Sequence, residues 1–194
     1  MTSAKQIYLG SRRRPKLPYD AEVEYLQSSG TQYIDTGWVF QKNIRLVYDI
    51  TYIGSGTFGR NAGSYEFFWS GSSFFFGGGR STVTRSNNVR YEMDCDFTAG
   101  KMVAKVNGNV VRQTTGTQPT DTKIVLFSFT TNIISPQRLR HGRFSIYKDG
   151  VAVLDMVPVR IGTEGAMYDR VIGQLFRNSG TGVFGFGTDI AGGV

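Results

Sequence analysis

An all-β fold is predicted by three features of this 194-residue chain. Its β-branched and aromatic residues alternate at period two, turn residues interrupt the runs every few positions, and no segment repeats apolar residues at helical spacing. Roughly ten or more short strands with turns this frequent fit a two-sheet antiparallel sandwich or a barrel rather than a sheet with crossover helices.

The elements follow in chain order. Residues 1–19 read as an extended arm, because Arg12-Arg-Arg-Pro15-Lys-Leu-Pro18 favours extended backbone, and the folded body takes residues 20–194. Short strands are predicted at Glu22–Leu26 and Tyr33–Asp35. In Arg45–Ile53, Leu46, Tyr48, Ile50 and Tyr52 point one way and Arg45, Asp49 and Thr51 the other, with Val47 and Ile53 as exceptions. Two aromatic strands are placed at Glu66–Trp69 and Phe74–Phe76. Val89–Phe97 turns Tyr91, Met93, Cys95 and Phe97 inward and Glu92, Asp94 and Asp96 outward. Lys101–Val106 meets Asn107-Gly108, a pair suited to the positive φ angles of a type I′ turn, and returns through Val110 and Val111. Lys123–Thr130 is a further strand; Asp149-Gly150 turns a second hairpin between Phe144 and Met156, and Val183–Phe186 is the last.

Composition narrows the class. Apolar residues at 40%, charged residues at 19% and 14 Phe with 10 Tyr exclude a disordered chain. The 25 glycines have no three-residue period and only 5 prolines accompany them, which excludes collagen. No apolar run approaches the ~18 residues of a membrane helix, so no membrane span is expected.

The net charge of +7 is local. Lys5, Arg12, Arg13, Arg14 and Lys16 lie in the arm with no acid, leaving 17 basic against 15 acidic residues in the body, a net of +2. A basic arm on a near-neutral domain suits an acidic partner surface, not base-sequence readout, so nucleic-acid recognition is not expected. The arm also lacks the apolar stretch of a signal peptide.

Cys95 and His141 are the only residues of their kinds, which excludes an intrachain disulfide and any Cys/His zinc finger. Cys95 is expected half-buried on its strand. His141, among Arg138, Arg140 and Arg143, is expected in an exposed polar loop. Gly180-Thr-Gly182-Val-Phe-Gly185 has G-x-G-x-x-G spacing, but neither the strand before it nor the helix after it that a dinucleotide site requires.

Exposed rings can stack on sugar faces. In Tyr65-Glu-Phe-Phe-Trp-Ser-Gly-Ser-Ser-Phe-Phe-Phe76, period two sends Phe67 and Trp69 to one side and Phe68 to the other, and splits Phe75 from Phe74 and Phe76. A ring from each run must leave the core, so Tyr65, Phe67, Phe68, Trp69 and Phe75 are the candidates for glycan or subunit contact.

Longer motifs add a resemblance. Val23-Glu-Tyr-Leu-Gln-Ser-Ser-Gly-Thr-Gln-Tyr-Ile-Asp-Thr-Gly37, the hairpin Phe144–Pro158 and the closing Gly165–Gly182 resemble a laminin-G-like, concanavalin A-like jelly-roll domain of bacteriophage and gut-bacterial surface proteins. Lys5-Gln-Ile-Tyr-Leu-Gly10 is similar to short leading segments of phage structural proteins. The resemblance implies an antiparallel jelly-roll sandwich of the concanavalin A-like lectin/glucanase type, with its first strand near its last.

It also implies a role. The expectation is a non-catalytic accessory structural or surface protein of a phage virion, as a capsid decoration, head fibre or tail component. The arm, with Lys5, Tyr8, Arg12, Arg13, Arg14 and Lys16, would anchor it to other virion proteins. A homo-oligomer and adhesion to glycans are further expectations, and a stand-alone carbohydrate-binding module is the alternative. A glucan hydrolase fits less well, because its Glu-x-Asp-x-x-Glu pattern meets Glu92-Met-Asp94-Cys-Asp96-Phe97, where Phe97 stands in place of the third acid. Relatives can hold calcium in loops, for which Asp35, Asp121, Asp169 and Asp189 are the candidates. No spaced Asp-x-Asp-x-Asp-Gly loop is present, so no metal and no cofactor are assigned.

Overall fold

Alternation of buried and exposed side chains is the rule along the central strands of a computed structural model, which describes residues 16–54, 58–60, 67–98, 100–115, 123–130 and 134–192. The first strands are β1 (Ala21–Val23), β2 (Leu26–Gln27), β3 (Ile34–Val39), β4 (Ile44–Tyr52) and β5 (Phe58–Arg60). Next come β6 (Phe67–Ser70), β7 (Ser73–Phe76), β8 (Arg80–Thr84), β9 (Arg90–Asp96) and β10 (Met102–Val106). They are followed by β11 (Asn109–Thr114), β12 (Lys123–Leu126), β13 (Ser128–Thr130), β14 (Ile134–Pro136) and β15 (Leu139–Lys148). The last are β16 (Val151–Ile161), β17 (Glu164–Asp169), β18 (Gln174–Phe176), β19 (Gly185–Phe186) and β20 (Asp189–Gly192). The described residues contain no helix, as predicted.

The main sheet runs β11-β10-β9-β4-β15-β16-β1-β20. Strand β16 is long enough to serve two neighbours on one side, β15 and β1, with β17 on the other. The first and last described strands, β1 and β20, pair directly. Facing elements are the pair β12-β3 and the sheet β14-β13-β5-β6-β7-β8, antiparallel except where β13 meets β5. The molecule is all-β, with large antiparallel sheets consistent with a β-sandwich.

One core joins the two sides. Leu46, Tyr48, Ile50 and Tyr52 of β4 and Tyr91, Met93 and Cys95 of β9 meet Trp69, Phe74, Phe76, Leu126 and Phe127. Rings interlock between the sides: Trp69 lies 5.5 Å from Tyr91 and Phe76 5.0 Å from Phe97. Both predicted hairpins form, with φ of 51° and 78° at Asn107-Gly108 and 49° and 80° at Asp149-Gly150, the pattern a type I′ turn requires.

Two differences from the sequence reading have clear causes. His141 is fully buried on β15 rather than exposed in a loop. Strand β15 shifts register between His141 and Phe144, and the one extra residue puts both side chains inward, so period two is hidden in the sequence. Two residues read as part of the arm also pack on the body. Tyr19 is buried with Val157, Val159 and Ala166 in a second small core, and Leu17 packs beside it.

Candidate functional site

Of the residues assigned to the arm and the aromatic site, Lys5, Tyr8, Arg12, Arg13, Arg14 and Tyr65 lie outside the described residues, and Lys16 is exposed. Phe67, Phe68 and Trp69 are all buried, and Phe75 is half-buried. Phe67 packs 5.4 Å from Phe40, and Trp69 packs 6.2 Å from Tyr52. Phe68 and Phe75, which alternation sends the other way, stack on each other with centroids 4.9 Å apart and planes 6° apart. The outward rings therefore find a partner across their own hairpin.

Parts of the first and last of the motifs behind the resemblance meet in one seam. Gln32 Oε1 accepts from the Ser28 hydroxyl at 3.0 Å and the Ser29 N–H at 2.8 Å, while Nε2 donates to the Val183 carbonyl at 3.1 Å. Tyr33 N–H donates to Asn178 Oδ1, Ser179 N–H to the Tyr33 carbonyl and Thr181 N–H to the Thr31 carbonyl. Gly180 admits no side chain, since a Cβ would run into the Thr31 carbonyl oxygen. Thus Ser28–Tyr33 and Asn178–Val183 bond each other, and their residue types answer to that seam.

The acids on β9 alternate outward as predicted and are engaged. Arg45 grips Asp94 at 2.7 and 2.9 Å with Lys105 at 3.7 Å, Glu92 lies 3.7 Å from Arg90, and Asp96 caps Thr98. Asp35 pairs with Lys123 and Asp189 with Arg160. Asp169 is buried and accepts the main-chain N–H groups of Asp155 and Val171; Asp121 lies outside the described residues. Among the described residues, no three His, Cys, Asp or Glu side chains are grouped to hold a metal ion.

Asp49 is the centre of a different arrangement. Strand β4 points it outward against the register shift of β15, where Gly142 leaves room for it: a Cβ there would lie 2.9 Å from Asp49 Oδ2. Its carboxylate accepts from Arg90 at 2.7 Å and from the Arg143 main-chain N–H, and burial outweighs Arg90 to raise its pKa from the ordinary aspartate value. On the core side, the His141 imidazole interacts with the Asp49 main-chain carbonyl, and burial pushes it down to about 3, so it is neutral at pH 7. Phe127 lies 5.0 Å and Tyr48 5.9 Å from its ring. Cys95, also fully buried rather than half-buried, hydrogen-bonds with Tyr48, and burial raises its thiol pKa. Neither group is placed to act as a nucleophile or base on an outside substrate.

Three hollows lie side by side along this outer face and share lining residues. The first, 420 Å³, lies between Arg45, Asp96, Tyr147 and Asp149. The second, 310 Å³, shares Tyr147 with it and reaches Asp49, Arg90, Glu92 and Arg143. The third, 660 Å³, shares Asp49, Arg90 and Arg143 and extends to Glu22, Tyr25, Arg140 and Arg170. Their linings carry five arginines (Arg45, Arg90, Arg140, Arg143, Arg170) and six acids (Glu22, Glu24, Asp49, Glu92, Asp96, Asp149). Arg170 clasps Glu22 at 2.7 and 2.8 Å, Arg143 meets Asp155 at 2.7 Å, and the Arg140 guanidinium lies 4.5 Å over the Tyr25 ring.

Sequence reasoning missed this track. Its residues come from β1 and the segment after it, β4, β9, β15 and the turns after β15 and β17, and the one local signal, the cluster Arg138–Arg143, reads as a solvated loop. Comparison with family models, with curated proteins and with solved structures found no match to this chain.

Proposed function

We propose that this chain is a non-catalytic binding protein of the laminin-G-like, concanavalin A-like jelly-roll kind, serving as an accessory structural or surface component of a phage virion and contacting glycans through its outer sheet face. The row of adjacent polar hollows carries the binding part. Each hollow has the volume of an ordinary ligand site, and paired charges hold its donors and acceptors in place. The pairing also supports a non-catalytic role. A retaining glucanase of this pattern needs Asp94 free between two acids, whereas Asp94 is clasped by Arg45 with Lys105 beside it and Phe97 stands in place of the third acid.

The virion role draws on the sequence motifs and on the separation of charge. Five basic residues in an otherwise acid-free arm suit an acidic surface on other virion proteins, and the near-neutral body is left to project. Because Leu17 and Tyr19 pack on the body, the informative truncation starts the chain at Lys16. The truncated protein is expected to stay folded and to be missing from assembled particles. Full incorporation without residues 1–15 overturns the anchoring role. Light scattering on both forms tests the proposed homo-oligomer: the same discrete oligomer from each puts self-assembly in the sandwich.

A further inference from the structure

The three hollows form a track with a definite electrostatic character. Tyr147 stands at one junction, and Asp49, Arg90 and Arg143 form the other. Five arginines and six carboxylates line it, Arg90–Asp49 and Arg170–Glu22 are bonded within it at 2.7 Å, and Arg45 and Arg143 are held from beside it by Asp94 and Asp155 at 2.7 Å. A ligand entering the track meets no field of one sign.

That property selects a chemical class. An anionic polymer would gain from each arginine but would lie against a carboxylate a few ångströms away, and could reach the guanidinium face only by displacing a fixed acid. A polycation meets the mirror image of this problem. An uncharged hydroxyl avoids both, since it donates to a carboxylate and accepts from the neighbouring guanidinium without breaking the pair. Vicinal hydroxyls can bridge such a pair, and the half-buried Tyr147 ring offers an apolar face. The existing pairs also fix the arginine side chains in advance, which lowers the ordering cost of binding.

We infer that the outer-face track binds a neutral, polyhydroxylated chain, an uncharged glycan several units long, with the Asp49–Arg90 pair and Tyr147 as its central contacts. This rests on the glycan-binding part of the function proposed above and specifies its ligand class. The arm takes the acidic partner and the track takes the uncharged one, in keeping with where the charge lies in the sequence.

The test titrates the full chain, followed by amide NMR shifts, with two panels of oligosaccharides about six units long. One panel is neutral (glucose-, mannose-, galactose- and N-acetylglucosamine-based) and the other acidic (uronate-containing and sulfated). Neutral chains are expected to shift amides of β4, β9 and β15 with an affinity that does not change with salt, whereas anion binding would weaken as salt rises. Tyr147→Ala and Arg90→Gln, both at accessible positions, should each weaken binding at least about fivefold. Glu164→Gln, which breaks the separate Arg177–Glu164 pair, should leave it unchanged. A tenfold or greater preference for the acidic panel overturns the inference and leaves glycan binding standing. Neutral binding that survives both variants moves the site elsewhere on the body. Silence in both panels removes the glycan role altogether, and the virion role is then judged on incorporation of the truncated chain alone.

Discussion

The two faces of the main sheet follow the same period-two alternation and end in opposite chemistry. Its inner face meets a dry layer of rings, with Trp69, Phe74 and Phe76 wholly buried against Tyr52, Tyr91 and Phe97. Its outer face carries arginines and acids in bonded pairs above shallow hollows. Strand β4 belongs to both, with Tyr48 in the core and Asp49 in the track. The comparison teaches where stability and recognition reside: substitutions inward should cost folding, and substitutions outward should cost binding with little effect on folding.

The strongest test of this division uses pH. The His141 imidazole titrates at 6.5 in an unfolded chain and at about 3 in the folded one, so below pH 6.5 the unfolded chain takes up a proton that the folded chain refuses. Stability contributed by the neutral ring should fall as pH drops from 6.5 toward 3, by up to about 5 kcal/mol. Urea unfolding at stepped pH would show this as a falling midpoint, and His141→Phe should flatten the slope in that window. An unchanged slope in the variant would mean that His141 is not the controlling group.

Truncation inside the ring layer comes next. Trp69→Ala should cost about 3–5 kcal/mol by urea unfolding, because the cavity is walled by other rings that cannot all collapse into it. A loss below about 1 kcal/mol would show that the layer is loosely packed. Gly180→Ala probes the seam between Ser28–Tyr33 and Asn178–Val183. The added methyl meets the Thr31 carbonyl and should cost about 1–3 kcal/mol, read as a lower melting temperature. A neutral result would mean that the seam gives way easily. The smallest effect belongs to the outer face: Asp94→Asn removes the charge that Arg45 and Lys105 pair with and should change unfolding free energy by less than about 1 kcal/mol, since both cations are largely exposed. A larger loss would break the comparison by making the outer pairs structural.

Much of the fold was legible in the residues. The inward sets of β4 and β9 and both type I′ hairpins are written as local patterns, and local patterns survive folding when one face is buried. The placement of His141 was not, because a register shift between strands changes which side chains share a face without changing their spacing in sequence. The aromatic run misled for a related reason. Alternation correctly drove Phe68 and Phe75 out of the core, but their mutual stacking depends on the register of β6 against β7. The track was least legible, since Glu22 and Arg170 stand 148 residues apart and meet only when β1 and the turn after β17 are brought beside β16.

By itself the sequence determined the all-β class, the alternation of its central strands, its hairpin turns and the concentration of basic charge in the first sixteen residues, because each depends on neighbours a few positions apart. Tertiary structure alone decided that the lone histidine is core, that the exposed-looking rings are covered, that Ser28–Tyr33 and Asn178–Val183 form a seam, and that charges from separate strands and turns line one track. Those depend on which strands lie side by side, and strand neighbours are chosen by burial across the whole chain rather than by any local pattern.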